Sequence, residues 1–236
     1  MVEEGISNEA INFHANLNPS IWNEDGTMKD DVKTGLMAMA DDFKDFLGLD
    51  SLNIIDITVS GSNAAYTYTP NSDVDLHLVV KSPDDLADIY RELFDAKKNL
   101  YNMTHKQTVK GYDVEFYVQD AEQPVKSMGI FSLMRDKWIS FPRRTKAEVD
   151  DVSVEAKVES FSDRIKFCLG NDDLQQAKSV MAELRQMRKT GLDQGGEFSP
   201  ENLAFKVIRT RGLLQKLYDH IITLRDDQLS VESVQP

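Results

Sequence analysis

The chain has 236 residues, 41% hydrophobic and 28% charged, the balance of a globular protein with ample material for a core. Its formal charge of −13 argues against non-specific nucleic-acid binding, which is driven by neutralising phosphates. The single cysteine, Cys168, excludes an internal disulfide framework and a multi-cysteine zinc site. No apolar run approaches the length that crosses a bilayer, and MVEEGISNEA lacks the layout of a signal peptide, so the expectation is a cytoplasmic protein without membrane contact.

Residues 7–14 read as a short helix capped by Ser7. A connection follows over 17–26, with turn pairs Asn18-Pro19 and Asp25-Gly26, anchored to the core by Ile21 and Trp22. From Asp30 to Leu47, Val32, Leu36, Met39, Phe43 and Phe46/Leu47 recur at helical spacing, and Gly48 is a natural stop. The acidic face of this helix (Asp31, Asp41, Asp42, Asp45) reads as solvated surface, because the apolar stripe is complete without it.

Residues 56–80 organise the rest. Ile57 and Val59 mark a short buried strand that Gly61-Ser62 breaks. A polar connection ends in Pro70-Asn71-Ser72, and a second strand spans 73–80. There Val74, Leu76, Leu78 and Val80 point one way, and Asp73, Asp75 and His77 the other. Two carboxylates on one strand face sit close enough to share a cation, and hard oxygens suit Mg²⁺. Gly61 lets backbone approach a phosphate closely, and Ser62 adds a hydroxyl donor. His77 reads as a neighbour that orients or neutralises these acids rather than as a ligand. Tyr66 and Tyr68 either stack on a base or pack the loop.

Pro83 starts a helix that runs to about Lys98 with Leu86, Ile89, Tyr90 and Leu93 buried. Residues 103–109 and 112–118 form a hairpin turning at Lys110-Gly111, both strands joining the sheet of Asp73 and Asp75. Along the second of them Val114, Phe116 and Val118 face inward, and Asp113, Glu115, Tyr117 and Gln119 outward. Residues 121–145 are less regular, with a boundary at Pro142-Arg143-Arg144. The remainder is helical. One stripe is Val154, Val158, Phe161, Ile165 and Cys168, where Cys168 reads as a packed thiol. A second runs from an Asn171 cap to Gly191, and a third from a Ser199 cap to about Arg225. Residues 183–216 carry seven Lys/Arg against four acids, a local excess suited to an anionic ligand.

Gly61-Ser62, ten residues, then Asp73-x-Asp75 in a hydrophobic strand resembles the signature of the DNA polymerase β-like nucleotidyltransferase superfamily. That superfamily places a third metal carboxylate between two hydrophobic residues on a later neighbouring strand. Glu115 between Val114 and Phe116 fits, with Asp113 as the rival. The run from LNPSIWNEDG through FDAKKNL and VEFYVQD to FSLMRDKW is similar to predicted phage nucleotidyltransferases over the first 145 residues. The resemblance implies an α+β fold, with a mixed β-sheet catalytic domain and flanking helices over 1–145. A helical domain over 146–236 would close the nucleotide cleft.

The implied activity is transfer of a nucleoside monophosphate from an NTP to a hydroxyl on a small molecule, RNA or protein. It takes place in the cytoplasm, that of the host for a viral protein. Asp73, Asp75 and Glu115 would hold Mg²⁺ or Mn²⁺ in a two-metal mechanism, with Gly61, Ser62, Lys206 and Arg209 binding nucleotide. Two alternatives stand beside this. One is a synthase of small signalling nucleotides, which the acidic charge suits. The other is a non-catalytic nucleotide-binding or regulatory module, such as an antitoxin-like partner.

Overall fold

In a computed structural model, which describes residues 5–48, 53–81, 87–122, 127–144 and 148–230 (backbone alone over 87–91), the chain divides into two units. One is Phe13–Thr145; the other joins Met1–Asn12 to Lys146–Pro236.

The first unit is built on a six-stranded mixed sheet. Its strands are β1 (Ile54–Ser60), β2 (Val74–Val80), β3 (Thr108–Val109), β4 (Tyr112–Asp120), β5 (Ile130–Ser132) and β6 (Lys137–Ser140), in the order β3-β4-β2-β1-β5-β6. β1 runs antiparallel to β2, and β2 parallel to β4. A parallel pair needs a long crossover, which helix α2 (Ala87–Thr104) supplies. The alternation read along β2 is realised: Val74, Leu76, Leu78 and Val80 are at most 1% exposed. Val74, Leu76 and Leu78 pack into a core with Phe116 and Phe131 of the sheet and with Val32, Leu36, Phe43 and Leu47 of α1 (Asp30–Leu47). α1 starts with Asp30 and Asp31 in its first turn, where negative charge suits the helix dipole, and ends at Gly48 with φ 62°. Its acidic face is exposed, with Asp31 paired to Lys110 and Asp42 accepting from the Tyr101 hydroxyl.

Several elements differ from the sequence reading. The expected start at Pro83, with Leu86, lies outside the described residues, and α2 runs past Lys98 to Thr104. Leu93 is exposed, whereas Phe94 and Tyr101 are buried. The tail of α2 is held by Tyr101, whose ring sits 4.8 Å from Phe43, and by Asn102. The Asn102 amide donates to the Phe116 carbonyl at 2.9 Å and accepts the Phe116 N–H at 3.0 Å. The helix therefore takes residues assigned to the hairpin, leaving two in β3. The turn itself is as read, with Lys110 and Gly111 both at positive φ (51° and 85°), the two-residue geometry that matches strand twist. Residues 121–145 contain the hairpin β5–β6, whose three- and four-residue strands are too short to show alternation. Trp138 there stacks on Trp22 at 4.5 Å.

The second unit holds α3 (Asp151–Leu169), α4 (Leu174–Gly195), α5 (Pro200–Thr210) and α6 (Leu213–Leu229), with a 3₁₀ turn at Ile6–Glu9. Ser7 is not a cap: it lies inside that turn, and its N–H donates to Asp151 at 2.9 Å. Asp173, not Asn171, caps α4 by accepting the Gln176 N–H at 2.9 Å. α4 passes through Gly191, where a Cβ would sit 2.4 Å from that of Glu201, so this glycine allows close packing rather than ending the helix. Ser199 caps α5 with Pro200 in the first turn, as read. The long last helix is two, because Gly212 at φ 71° separates α5 from α6. Apolar spacing is kept across that break, with Leu203, Val207, Leu217 and Leu224 all buried, so periodicity alone conceals it. Cys168 is a buried thiol in α3, its pKa pushed up by burial.

Candidate active site

Strand pairing arranges two rows of side chains across β1, β2 and β4. One row is Ser60–Asp75–Glu115: Ser60 pairs with Asp75 across the antiparallel ladder, and Asp75 with Glu115 across the parallel one. The next row is Thr58–His77–Tyr117. Because alternate residues share a face, both rows lie on the sheet face opposite Leu76 and Phe116. Asp73 directly precedes β2 and is half-buried.

β1 ends at Gly61, with φ 81° and ψ −166°, a conformation that glycine alone adopts readily. A Cβ built there would fall 2.0 Å from Asp75 Oδ2, so the missing side chain is what admits the Asp75 carboxylate. The Gly61 N–H donates to Ser127 Oγ at 3.2 Å. The Ser62 hydroxyl donates to Ser72 Oγ at 2.8 Å, and that oxygen also accepts the Thr69 N–H at 2.9 Å.

Asn63, fully buried, ties the glycine turn to the start of β2. Its side-chain amide donates to the carbonyls of Ser72 and Asp73 at 3.2 and 3.0 Å and accepts from Asn18 Nδ2 at 2.8 Å. Its carbonyl accepts the Trp22 indole N–H at 2.8 Å. This buried amide is thus satisfied on both sides and fixes the backbone that carries Asp73.

Beneath the acidic row, His77 Nε2 lies 3.0 Å from Ser60 Oγ, and its ring stacks on Tyr117 at 4.8 Å. Burial, helped by the Lys98 charge, lowers the His77 pKa to about 4, so the imidazole is neutral at pH 7. Tyr117 shares the strand face of Glu115 on β4. Its pKa is raised by burial first and then by the charges of Asp75, Glu115 and Asp73. Three carboxylates thus act on one phenol.

The donor chemistry fits a hard divalent ion: adjacent carboxylates from two strands, with a third at the strand start. Among the described residues, no three His, Cys, Asp or Glu side chains are gathered closely enough to hold a metal by themselves. Mg²⁺ ordinarily takes one or two carboxylates and fills its shell with water and substrate phosphate, which suits a partial protein cage.

Residues 39–167 match the model of the nucleotidyltransferase domain family, more than half of the chain. The chain belongs to this family. It is a nucleotidyltransferase, and the match runs from within α1 to within α3, taking in all six strands of the sheet. Enzymes of the family act on NTPs and generally use divalent metal ions. Among solved structures, the STING-associated CdnE c-di-GMP synthase from Capnocytophaga granulosa is similar over 86% of this chain and 84% of its own, with 12% identity and a TM-score of 0.25. The sequence matches no curated protein. Among the described residues of this nucleotidyltransferase, no helix is long and apolar enough to cross a membrane.

The other residues singled out in the sequence fall as follows. Asp113, exposed, pairs with Thr108 of the hairpin, whereas Glu115 pairs with Asp75. Tyr66 is a core side chain, 8% exposed, and Tyr68 stacks on His14 at 3.8 Å, so both pack the loop. Lys206 and Arg209 lie on α5, in the helical unit. Asn63, Ser72 and Tyr117 were not expected as site residues. The signal for Asn63 is a polar residue inside the apolar-flanked turn 61–65, and that for Tyr117 its place on the Glu115 face of an alternating strand.

Proposed function

We propose that the nucleotidyltransferase moves a nucleoside monophosphate from an NTP to a hydroxyl acceptor with Mg²⁺ or Mn²⁺, releasing pyrophosphate, and that Phe13–Thr145 is its catalytic unit. The observation that carries this reading is the direct pairing of Asp75 with Glu115 beside Gly61, whose lack of a side chain admits the Asp75 carboxylate. Asp73, Asp75 and Glu115 would hold the ions, which when bound stabilise the attacking and leaving oxygens of an in-line displacement. The Glu115 carboxylate takes the proton of the acceptor hydroxyl. The Ser62 hydroxyl exchanges Ser72 for a phosphate oxygen, and the backbone of the glycine turn lies against the phosphates. Asn63 keeps Asp73 in place while this happens.

The proposal that Lys206 and Arg209 bind the triphosphate rests on their charge and three-residue spacing. The acceptor belongs to a small molecule, RNA or protein, and the net charge of −13 disfavours non-specific polynucleotide binding. The reaction is placed in the cytoplasm, in keeping with a single cysteine kept as a buried free thiol.

The test is incubation with each labelled NTP and Mg²⁺ or Mn²⁺, alone and with RNA or cell extract. Wild type should transfer label. Asp75→Asn should abolish transfer with its fold intact, since Asp75 is half-exposed and fills no core space. The loss should fall on kcat at least as heavily as on NTP affinity, because metal charge is needed chiefly in the transition state. Absence of transfer to every acceptor, together with equal Mn²⁺ binding by wild type and Asp75→Asn, overturns the reading.

A further inference from the structure

We infer that Ser127 is a positioning residue, whose hydroxyl fixes the Gly61 peptide and so shapes the turn of Gly61 and Ser62 for the NTP phosphates. This rests on the proposal that the turn lies against those phosphates. The Gly61 N–H donates to Ser127 Oγ at 3.2 Å, and the same hydroxyl donates to the Gly129 carbonyl at 3.0 Å. One half-buried side chain thus joins the end of β1 to the residue before β5.

The strand register says why a side chain is needed there. β1 and β5 pair antiparallel, with Thr58 opposite Ser132 and Val59 opposite Phe131, a register that continues to Gly61 opposite Gly129. The Leu133 N–H donates to the Ile57 carbonyl at 2.8 Å, so hydrogen-bonded pairs fall at every second position from Ile57. A regular ladder would therefore join Gly61 directly to Gly129. Instead the Ser127 hydroxyl stands between the Gly61 N–H and the Gly129 carbonyl, and the Gly61 carbonyl accepts the Ala64 N–H at 3.1 Å. The ladder opens where the turn packs under Gly129: a Cβ there would lie 1.9 Å from the Ala64 carbonyl oxygen. Glycine has the least backbone restraint of its own, so the conformation of Gly61 at φ 81° is set by what holds its two peptide groups. Ser127 holds the N–H and Ala64 the carbonyl. Asp75 keeps its place through the pairing of β2, so Ser127 acts on the phosphate side of the site and not on the metal side.

Ser127→Ala deletes the hydroxyl and deprives two backbone groups of that partner, whereas Ser127→Thr keeps it. The measurement is calorimetric titration of α,β-methylene analogues of the common NTPs, with Mn²⁺ present, into wild type, Ser127→Ala, Ser127→Thr and Ser62→Ala. Titration of Mn²⁺ alone, KM and kcat for label transfer, and thermal melting in EDTA accompany it. In Ser127→Ala, analogue binding should weaken about 5–10-fold, the worth of one hydrogen bond, and KM for NTP should rise likewise. Mn²⁺ affinity should stay at the wild-type level, and Ser127→Thr should bind the analogues as wild type does. A purely structural hydroxyl would lower melting and leave the analogue affinity of the folded protein as it was. If Ser62→Ala weakens analogue binding and Ser127→Ala does not, or Ser127→Thr fails to restore it, the positioning role is overturned while the phosphate reading of the turn stands. If Ser62→Ala and wild type bind the analogues alike, the phosphate reading falls and the role of Ser127 with it.

Discussion

Substituting Gly61 by alanine tests the close approach on which the site is built. Two effects follow, and their sizes separate them. At φ 81° and ψ −166° an L-residue is strained, at a cost of about 1–3 kcal/mol. Against a stability of about 5–15 kcal/mol this leaves the protein folded at 25 °C. The second effect is steric. The new Cβ would lie 2.0 Å from Asp75 Oδ2 and 2.9 Å from its Cγ, so something must move. The end of a side chain moves more easily than a strand, so the Asp75 carboxylate swings by roughly 1 Å or more, a misplacement that costs on the order of 10²-fold in rate. Gly111→Ala is the control. Gly111 has φ 85°, but a Cβ there meets nothing within 4 Å, so strain comes without displacement. The assay is label transfer at saturating Mn²⁺, with melting temperature and Mn²⁺ titration on the same samples. Both variants should lose stability, and only Gly61→Ala should lose transfer. If Gly61→Ala keeps the transfer rate and Mn²⁺ affinity of Gly111→Ala, the reasoning about Asp75 is refuted.

Leu76→Ala is the converse of Asp75→Asn: Leu76 is 1% exposed on the opposite face of β2, so it should lose about 2–5 kcal/mol in urea unfolding while activity per folded molecule stays at the wild-type level. The pH dependence of stability should carry the signature of His77. Its folded pKa of about 4 lies below the ordinary histidine value of 6.5, so between these the unfolded chain binds the proton first. Its contribution is present above pH 6.5 and lost as pH falls toward 4, on the order of 3 kcal/mol in all. Unfolding of metal-free wild type and His77→Gln across that range checks this, and curves that run parallel would refute it.

Part of this protein is legible one segment at a time. The helix Asp30–Leu47 with its stop at Gly48, the alternation of β2, the turn at Lys110-Gly111 and the Ser199 cap each follow from steric and hydrogen-bonding preferences acting over a few residues. The spacing of Gly61-Ser62 and Asp73-x-Asp75 is equally local, and it led to the right family. The strands β5 and β6 escaped because they are too short to show a period. The break at Gly212 escaped because the apolar spacing runs through it.

The site needed more than spacing. Asp113 and Glu115 share a strand face, and a period of two cannot choose between them. The parallel register of β4 on β2 sets Glu115 beside Asp75 and leaves Asp113 opposite Thr108. The clamp of Asn63 on Ser72 and Asp73, its bonds to Asn18 and Trp22, and the stack of Tyr117 on His77 likewise join residues far apart in the chain. Side-chain alternation is decided within a strand by its own backbone, so the sequence carries it. Register is decided by hydrogen bonds and packing between strands joined through α2, so only the folded chain fixes which carboxylates meet.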